Sequence, residues 1–415
     1  MKLKKDNLLT LYVIFNLVYI FFSSILRVYE IIDLEFLSYG LYAFMVINFI
    51  LILILFFKKK YIKNKIDIFL VLIIIFAIIS YLFAYSKEQA FFGSYYRYEG
   101  LLMILYYLSI LFLSSYVKKE DRIKIVYFIL IMGIFNSLYA ICQKLDLFNV
   151  KTTIFKRERW TAGFIMNPDF FSSFILICIC YSLGLFADTK NRKHMVFYLV
   201  ISSIFFISML FADSLCNMVG LFFAMIVLLI YCIKNKIMKR FLVICLVLLS
   251  ILLSIHFLKL TKIVDDVFVT ANETTSIVKG ESNDDYGTGR VELWRKTIDV
   301  VPKYIIHGIG IDNFDHIING RPIIRNRFVY DKAHNEYLQI LVTMGIFSLI
   351  SYVCLHFIVI KNGIKKCFKN KEIYFILPVI GYLVQAQFNI SVIDVAPIFY
   401  ISLGLLINRT DKNTN

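Results

Sequence analysis

The sequence predicts an all-α protein that crosses a membrane about twelve times. Of its 415 residues, 60% are hydrophobic and only 18% are charged, and the mean hydropathy is +0.74. A water-soluble domain with this composition would have too little polar surface to cover its interior. Apolar runs of about 20 residues recur along nearly the whole chain, and a helix of that length crosses the hydrocarbon core of a bilayer.

The apolar segments can be counted along the chain. They lie at about residues 8–26, 34–57, 66–84, 99–117, 123–143, 168–187, 195–212, 215–233, 241–258, 335–360, 373–388 and 392–407. The basic start followed by an apolar stretch resembles a signal peptide. Because that stretch is long and no small-residue cleavage site follows it, the first segment is predicted as a retained span.

The lysines and arginines between the segments predict the orientation. The connections on the side of the N-terminus hold 26 of them, against 8 in the short connections of the other side. Short loops rich in Lys and Arg stay in the cytoplasm, whereas long loops cross regardless of charge. Both termini are therefore predicted in the cytoplasm, with 85–98, 144–167 and 259–333 outside. The chain divides into nine spans (1–258), this long loop and three spans (334–415).

This orientation limits what the net charge of +16 can mean. Much of the basic charge serves topology, so it gives no reason to expect a nucleic-acid partner. The eight cysteines lie mostly in apolar runs, none lies in the longest polar loop, and no CxxC pair occurs. They predict neither a metal site nor a disulfide framework.

The 259–333 loop is too long to lack structure of its own. The stretch GTGRVELWRKTIDVV (287–301) reads as a helix capped by Thr288 or Gly289 and closed by Pro302. Its apolar stripe at helical spacing consists of Val291, Trp294, Ile298 and Val301. Such a helix is expected along the membrane surface, with Trp294 at the interface.

Arg290 would begin this helix, where a cation is electrostatically disfavoured. Two interpretations stay open. Arg290 binds an anion, which the N–H groups of the first turn also favour, or it extends to lipid headgroups.

His334 stands between the loop and the tenth apolar segment. The positive end of the helix dipole and the neighbouring arginines should keep its ring neutral, which is the form that can accept a proton. Asn335 and Glu336 either orient the ring or satisfy the first turn of the helix.

Polar residues gather at the predicted outer ends of the spans. The candidates for substrate binding are Arg97, Glu99, Arg159, Asn167, Arg290, Arg295, Asn335 and Glu336, with His334 as the catalytic base. Guanidinium groups suit a donor whose leaving group is a diphosphate, because they bind phosphate oxygens in pairs and spread the developing charge. No glycine-rich phosphate loop and no DxD or HExxH motif occurs, so neither a metal nor a cofactor is predicted.

The order of these motifs resembles the O-antigen ligase and O-antigen polymerase family of membrane glycosyltransferases. The resemblance lies in YYRYEGLLMILYY (95–107), RWTAGFIMNPDFFSSFI (159–175), GTGRVELWRKTIDVVPKYIIHGIGIDNF (287–314) and AHNEYLQILVTMGIFSLI (333–350). These correspond to the family's Arg-and-Gly entry to a span, its Asn-Pro-Asn block, its Gly-Arg, Trp, Pro, Gly-x-Gly block and its His-Asn block. Asp169 stands where asparagine is usual.

The resemblance implies a GT-C-like fold in the cytoplasmic (inner) membrane and an inverting, metal-independent glycosyltransferase. Such enzymes move an oligosaccharide from an undecaprenyl-diphosphate carrier onto a glycan, lipid or protein acceptor at the outer face of the membrane. The resemblance implies His334 as the base that activates the acceptor and Arg290 as a ligand of the diphosphate.

One position departs from the family's pattern. Ligases usually follow a serine at the opening of the eighth span with an arginine that is a second diphosphate ligand. Here Ser214 is followed by Leu215. Arg97 or Arg159 is expected to supply the missing charge, and a polymerase is favoured over a ligase.

Two other classes of protein remain as alternatives. A transporter or flippase for lipid-linked oligosaccharides would place ionisable residues near the bilayer midplane, but the predicted spans have almost none there. A receptor or scaffold would leave His334 and the outer arginines unexplained. Gln385, Gln387, Asn389 and Asp394 either line the acceptor side or hydrogen-bond between helices.

Overall fold

The computed structural model describes residues 8–155, 158–281, 283–318, 320–325 and 328–410. Within these residues the chain forms sixteen α-helices, numbered in chain order: α1 (Leu8–Val28), α2 (Leu34–Phe57), α3 (Asp67–Leu82), α4 (Lys87–Phe92), α5 (Leu101–Ser114), α6 (Arg122–Lys144), α7 (Pro168–Asp188), α8 (Arg192–Phe211), α9 (Leu215–Lys234), α10 (Met238–Phe257), α11 (Ile263–Val278), α12 (Arg290–Tyr304), α13 (Glu336–Met344), α14 (Ile346–Asn370), α15 (Leu377–Gln385) and α16 (Ala396–Ile407). Four short strands form two hairpins: β1 (Thr153–Phe155) with β2 (Glu158–Trp160), and β3 (Ile323–Arg325) with β4 (Phe328–Tyr330).

Eight helices of the described chain are long and apolar enough to cross a membrane: α1, α2, α6, α7, α8, α9, α10 and α14. Shorter apolar helices occupy the third, fourth, eleventh and twelfth predicted segments. Every predicted apolar segment thus contains a helix, which confirms a multi-pass helical membrane protein. The count of twelve crossings stays a prediction.

The tenth predicted segment, 335–360, is not one helix. It divides at Gly345 into α13 and α14, and Gly345 has a φ of +84°. A Cβ atom there would lie 2.3 Å from the carbonyl oxygen of Ile306, so only glycine fits the break without strain. The sequence offers no proline at this point, and the contact that requires the break comes from the long loop.

The long loop also satisfies the backbone groups that the break exposes. The N–H groups of Ile309 and Gly310 donate to the carbonyls of Val342 and Thr343, at 3.0 and 3.1 Å. The last carbonyls of a helix have no partner within it. The loop therefore holds the C-terminal end of α13, the helix that begins beside His334.

The 259–333 loop forms a small hydrophobic core together with one residue of α13. The buried residues of this core are Leu293, Tyr304, Ile309, Phe314, Ile317, Ile323, Ala333 and Val342. The loop contains α11, α12 and the hairpin of β3 and β4. In this hairpin Ile324 pairs with Val329 in an antiparallel register. The prediction that the loop carries its own helices is confirmed.

The predicted helix in the loop is present as α12, but its buried face differs from the prediction. Leu293 and Thr297 are fully buried, whereas Ile298, which the apolar stripe included, is 58% exposed. Thr297 can be buried because its hydroxyl donates to the carbonyl of Leu293 at 2.7 Å. Trp294 faces the protein and donates its indole N–H to the carbonyl of Ala333 at 2.9 Å.

Polar side chains near the last helices join neighbouring elements of the bundle. The side-chain oxygen of Gln385 accepts from Ser173 of α7 at 3.2 Å, and Asn389 donates to the same hydroxyl at 3.2 Å. Asp394 pairs with Arg27 of α1 at 2.6 Å, and both side chains are only 8% exposed. Contacts between elements, rather than a binding surface, therefore account for these three side chains.

Candidate functional site

The three consecutive residues before His334 are anchored in different directions. Asp331 accepts from the guanidinium of Arg97, with Nη2 and Oδ1 3.1 Å apart, and buried Lys332 pairs with Asp312. Ala333 is fully buried; its N–H donates to the side-chain oxygen of Gln339 at 2.8 Å. The backbone entering His334 is therefore held on several sides.

His334 has a φ of +49°, an uncommon conformation for a residue with a side chain. Its ring packs edge-on to Tyr330, with the ring centroids 6.4 Å apart. The Nδ1 atom is buried and has no hydrogen-bond partner among the described residues. Buried polar atoms are nearly always paired, so this nitrogen can take a partner that enters the site.

The surroundings of His334 favour its neutral form. Burial of the ring, followed by the positive charge of Arg290, lowers its pKa from 6.5 to about 4, and Arg97 acts in the same direction. Asp331 and Asp169 oppose this effect. The ring is therefore uncharged at neutral pH and can accept a proton, as the sequence predicted.

Arg290 is the first residue of α12 and makes an ion pair with Asp169, with Nη2 and Oδ2 3.6 Å apart. Neither side chain is fully buried: Arg290 is 25% exposed and Asp169 is 37% exposed. This pair is thus accessible from outside the protein. The carboxylate of Asp169 holds the Arg290 guanidinium, which influences His334. An anionic ligand can take the place of this carboxylate.

Asp169 connects several parts of the chain. Ser214, just before α9, donates its hydroxyl to the carboxylate of Asp169 at 2.6 Å. Asn217 donates to the Asp169 carbonyl at 3.1 Å, and Asn389 to the same oxygen at 3.5 Å. The start of α7 is therefore tied to α9, to α12 and to the segment after α15.

Arg97 binds Asp331 through Nε and Nη2 and lies over the ring of Phe170, 5.7 Å from its centroid. Because two of its N–H groups are occupied, Arg97 acts on the site chiefly by positioning Asp331 and by its charge. The hydrogen bonds of Asp331 and the charge of Arg97 keep the pKa of the Asp331 carboxyl below its usual value despite burial.

Glu99 and Glu336 line a cavity of about 80 Å³ that also contacts Lys332 and Asp312. Glu99 accepts from the hydroxyl of Tyr107 at 2.6 Å, and Glu336 accepts from the N–H of Ser391 at 2.7 Å. A cavity of this size holds several water molecules or hydroxyl groups.

The structure gives three other predicted residues different surroundings. Asn335 caps α13 by accepting from the N–H of Leu338 at 2.9 Å, and Asn167 caps α7 through the N–H groups of Asp169 and Phe170. Arg295 pairs with Asp284 at 2.8 Å and is 55% exposed, on the solvent side of α12. The side chain of Arg159 lies outside the described part of the chain; its backbone belongs to β2.

Sequence reasoning left three charged residues out of the site. Asp331 and Lys332 lie three and two residues before His334, and Asp169 stands at the end of a predicted span, where the family usually has asparagine. The proximity of Asp331 and Lys332 to the predicted base was a signal, but the partners Arg97, Asp312 and Arg290 lie in other segments of the chain. Such pairings are visible only in the folded protein.

The fold and this site define a multi-pass helical membrane protein with a polar, partly buried site at one end of its helix bundle. Residues 197–353 match the family model described as O-Antigen ligase, and this segment contains Arg290, Arg295, His334, Asn335 and Glu336. The resemblance to the O-antigen ligase family is therefore confirmed, and a membrane enzyme that acts on glycans is the class that the family indicates. No curated protein matches the chain.

Proposed function

We propose that the protein is an inverting glycosyltransferase that joins oligosaccharide repeat units carried on undecaprenyl diphosphate, at the outer face of the inner membrane. The observation that carries this proposal is a neutral histidine, with its buried Nδ1 unpaired among the described residues, beside an accessible guanidinium. We also propose that both termini lie in the cytoplasm and that the 259–333 loop lies outside.

The transfer step needs one base and one anion ligand. His334 takes the proton of the acceptor hydroxyl, whose oxygen attacks the anomeric carbon of the donor sugar. The bond from that carbon to the diphosphate oxygen breaks, and the lipid diphosphate leaves with the electron pair. Arg290 stabilises the charge that grows on this leaving group.

Donor binding is an exchange of partners at Arg290. The diphosphate replaces Asp169, which remains bound to Ser214 by its other oxygen. On the acceptor side, Glu99 and Glu336 accept hydrogen bonds from hydroxyl groups that enter their cavity. Asn335 and Asn167 contribute by fixing the starts of α13 and α7.

Within this class we favour a polymerase over a ligase. The position where ligases carry a second arginine is Leu215 in this chain, directly after the serine that binds Asp169. A carboxylate at 169 and an apolar residue at 215 give a less positive donor site than a ligase has.

Deleting the gene and analysing the lipid-linked glycans tests the class of reaction. Single repeat units that accumulate on the carrier at the outer face indicate the polymerase. Complete chains stranded on the carrier would instead indicate a ligase. Repeat units retained at the inner face would indicate a transporter and contradict the proposal.

Replacing the base tests the site. In the deletion strain, His334→Gln should give no polymerised glycan at a normal protein level, because an amide cannot take the acceptor's proton. His194→Ala, at an exposed position at the start of α8, is the matched control and should restore the wild-type glycan pattern. Normal product from His334→Gln would remove His334 as the base.

A further inference from the structure

A lysine-rich groove lies at the end of α14 away from His334. It has a volume of about 810 Å³ and is formed by the connection between α2 and α3, the second half of α14 and the end of α16. The 25 residues of α14 span about 37 Å at 1.5 Å per residue, so this groove and the His334 site lie at opposite ends of the bundle.

The groove concentrates positive charge. Among the residues that the structure describes, its lining contains six lysines and neither aspartate nor glutamate: Lys63, Lys65, Lys361, Lys365, Lys366 and Lys369. Lys361, Lys365 and Lys369 follow one another at four-residue spacing on α14, where like charges destabilise a helix. Lys63 and Lys65 add to this charge from the connection between α2 and α3.

Two of the described carboxylates lie near the groove in sequence, and both are already paired. Asp67, two residues after Lys65, binds Arg409, and Glu372, three residues after Lys369, binds Arg122 at 3.2 Å. The positive charge of the groove is therefore not balanced by these acidic neighbours. An anionic ligand would remove the repulsion among the lysines.

The groove continues into an apolar surface. Phe357, one turn before Lys361, lines the groove and is 63% exposed. Ile350 and Val353 extend the exposed stripe along α14, at 51% and 45% exposure. A ligand with a charged head and an apolar chain would match both parts, whereas a free anion would use only the lysines.

The predicted topology explains part of this pattern. Lysines are expected on the cytoplasmic side of a membrane protein, so their number alone calls for no ligand. Their arrangement around one groove, from two separate parts of the chain and next to an exposed apolar stripe, is not required by topology. Basic pockets between helices on this side are the kind of surface that holds anionic lipid headgroups.

We propose that the lysine-rich groove binds the phosphate headgroup of an anionic membrane lipid, with an acyl chain lying along the apolar stripe of α14. Lysines suit this role because their long side chains can adapt to a mobile headgroup. This inference is independent of the reaction proposed for His334.

The test is native mass spectrometry of the purified full-length chain in detergent, with phosphatidylglycerol and phosphatidylcholine as probes. One variant changes Lys361, Lys365 and Lys369 to glutamine, and a second changes Lys63 and Lys65. The matched control changes Lys58, Lys59 and Lys60 to glutamine, because these exposed lysines lie in the same connection but outside the groove.

We expect the wild type and the control to retain phosphatidylglycerol in preference to phosphatidylcholine. The triple groove variant should retain about ten-fold less phosphatidylglycerol, and the Lys63/Lys65 variant should also retain less. Equal retention by groove and control variants would overturn the proposal. So would displacement of the lipid by inorganic phosphate, since the groove would then be a site for a free anion. The thermal unfolding temperature of each variant verifies that it is folded.

Discussion

At the residue scale, the protonation state of His334 depends on burial and on the charge of Arg290, which together lower its pKa to about 4. A base works only while it lacks its proton, so activity should be full at neutral pH and should fall as the pH drops through about 4. This fall is the acid limb of the pH–rate profile, and initial rates of glycan transfer across the acid range measure it. A limb near the ordinary histidine pKa of about 6.5 would contradict the buried, neutral ring.

Arg290→Gln provides the internal comparison for that experiment. Removing the neighbouring positive charge should move the acid limb of the residual activity upward, because one of the causes of the low pKa is gone. A residue that only supported the fold would change the rate without moving the limb.

Asp169 gives a second prediction at this scale. Asp169→Asn keeps an oxygen that can accept from Ser214 but removes the charge that competes for Arg290. The KM for the lipid-linked donor should fall by roughly two- to five-fold, the range of a partly exposed ion pair. Asp299→Asn, an equal change of charge at an exposed position on α12, should leave the KM unchanged. An unchanged KM in Asp169→Asn would show that the pair does not compete with the donor.

The sequence identified part of this site for a physical reason. His334 and Arg290 were recognisable because each is a charged or titratable side chain at the start of a predicted helix. The ion pairs of Arg290 with Asp169 and of Arg97 with Asp331 were not, since their members lie more than one hundred residues apart along the chain. Periodicity carries no information about such pairings.

The break between α13 and α14 makes a prediction at the scale of elements. Gly345→Ala should destabilise the protein by about 1–3 kcal/mol from backbone strain alone. The contact of the new Cβ with the Ile306 carbonyl, 2.3 Å away, should add to this loss. Thermal unfolding of the purified protein measures the effect.

Gly280→Ala separates the two contributions. Gly280 has the same φ of +84°, but a Cβ there would meet nothing within 4 Å. The lowering of the unfolding temperature should therefore be larger for Gly345→Ala. Equal effects would mean that the loop does not press against the break.

Hydrophobic periodicity located the helices better than it located the break at Gly345 or the buried face of α12. The apolar runs coincide with helices because length and hydropathy alone select a bilayer-compatible helix. The break at Gly345 depends on the 304–310 segment of the loop, and the buried face of α12 depends on Thr297, whose polarity is hidden by a hydrogen bond within its own helix. Both are tertiary effects.

Orientation in the membrane is the prediction at the scale of the whole molecule. Phe148, 86% exposed in the 144–167 connection, should face the outside, and Lys60 should face the cytoplasm. A membrane-impermeant maleimide should therefore label Phe148→Cys in intact cells and Lys60→Cys only in opened ones. The unsubstituted chain supplies the background, since its eight native cysteines are at most partly exposed. Labelling of Lys60→Cys in intact cells would show that the orientation is the reverse of the predicted one and that His334 lies on the cytoplasmic side.

The hydrogen bonds that converge on Asp169 have a consequence for biosynthesis. They come from residues 214, 217 and 389 of one chain, and the ion pair comes from residue 290. A ribosome releases these residues in sequence, so the nascent protein can insert its first helices long before this junction closes. Until the last segments emerge, Asp169 sits at the head of α7 without its full set of partners, and a prematurely terminated chain would insert into the bilayer but lack a finished pocket.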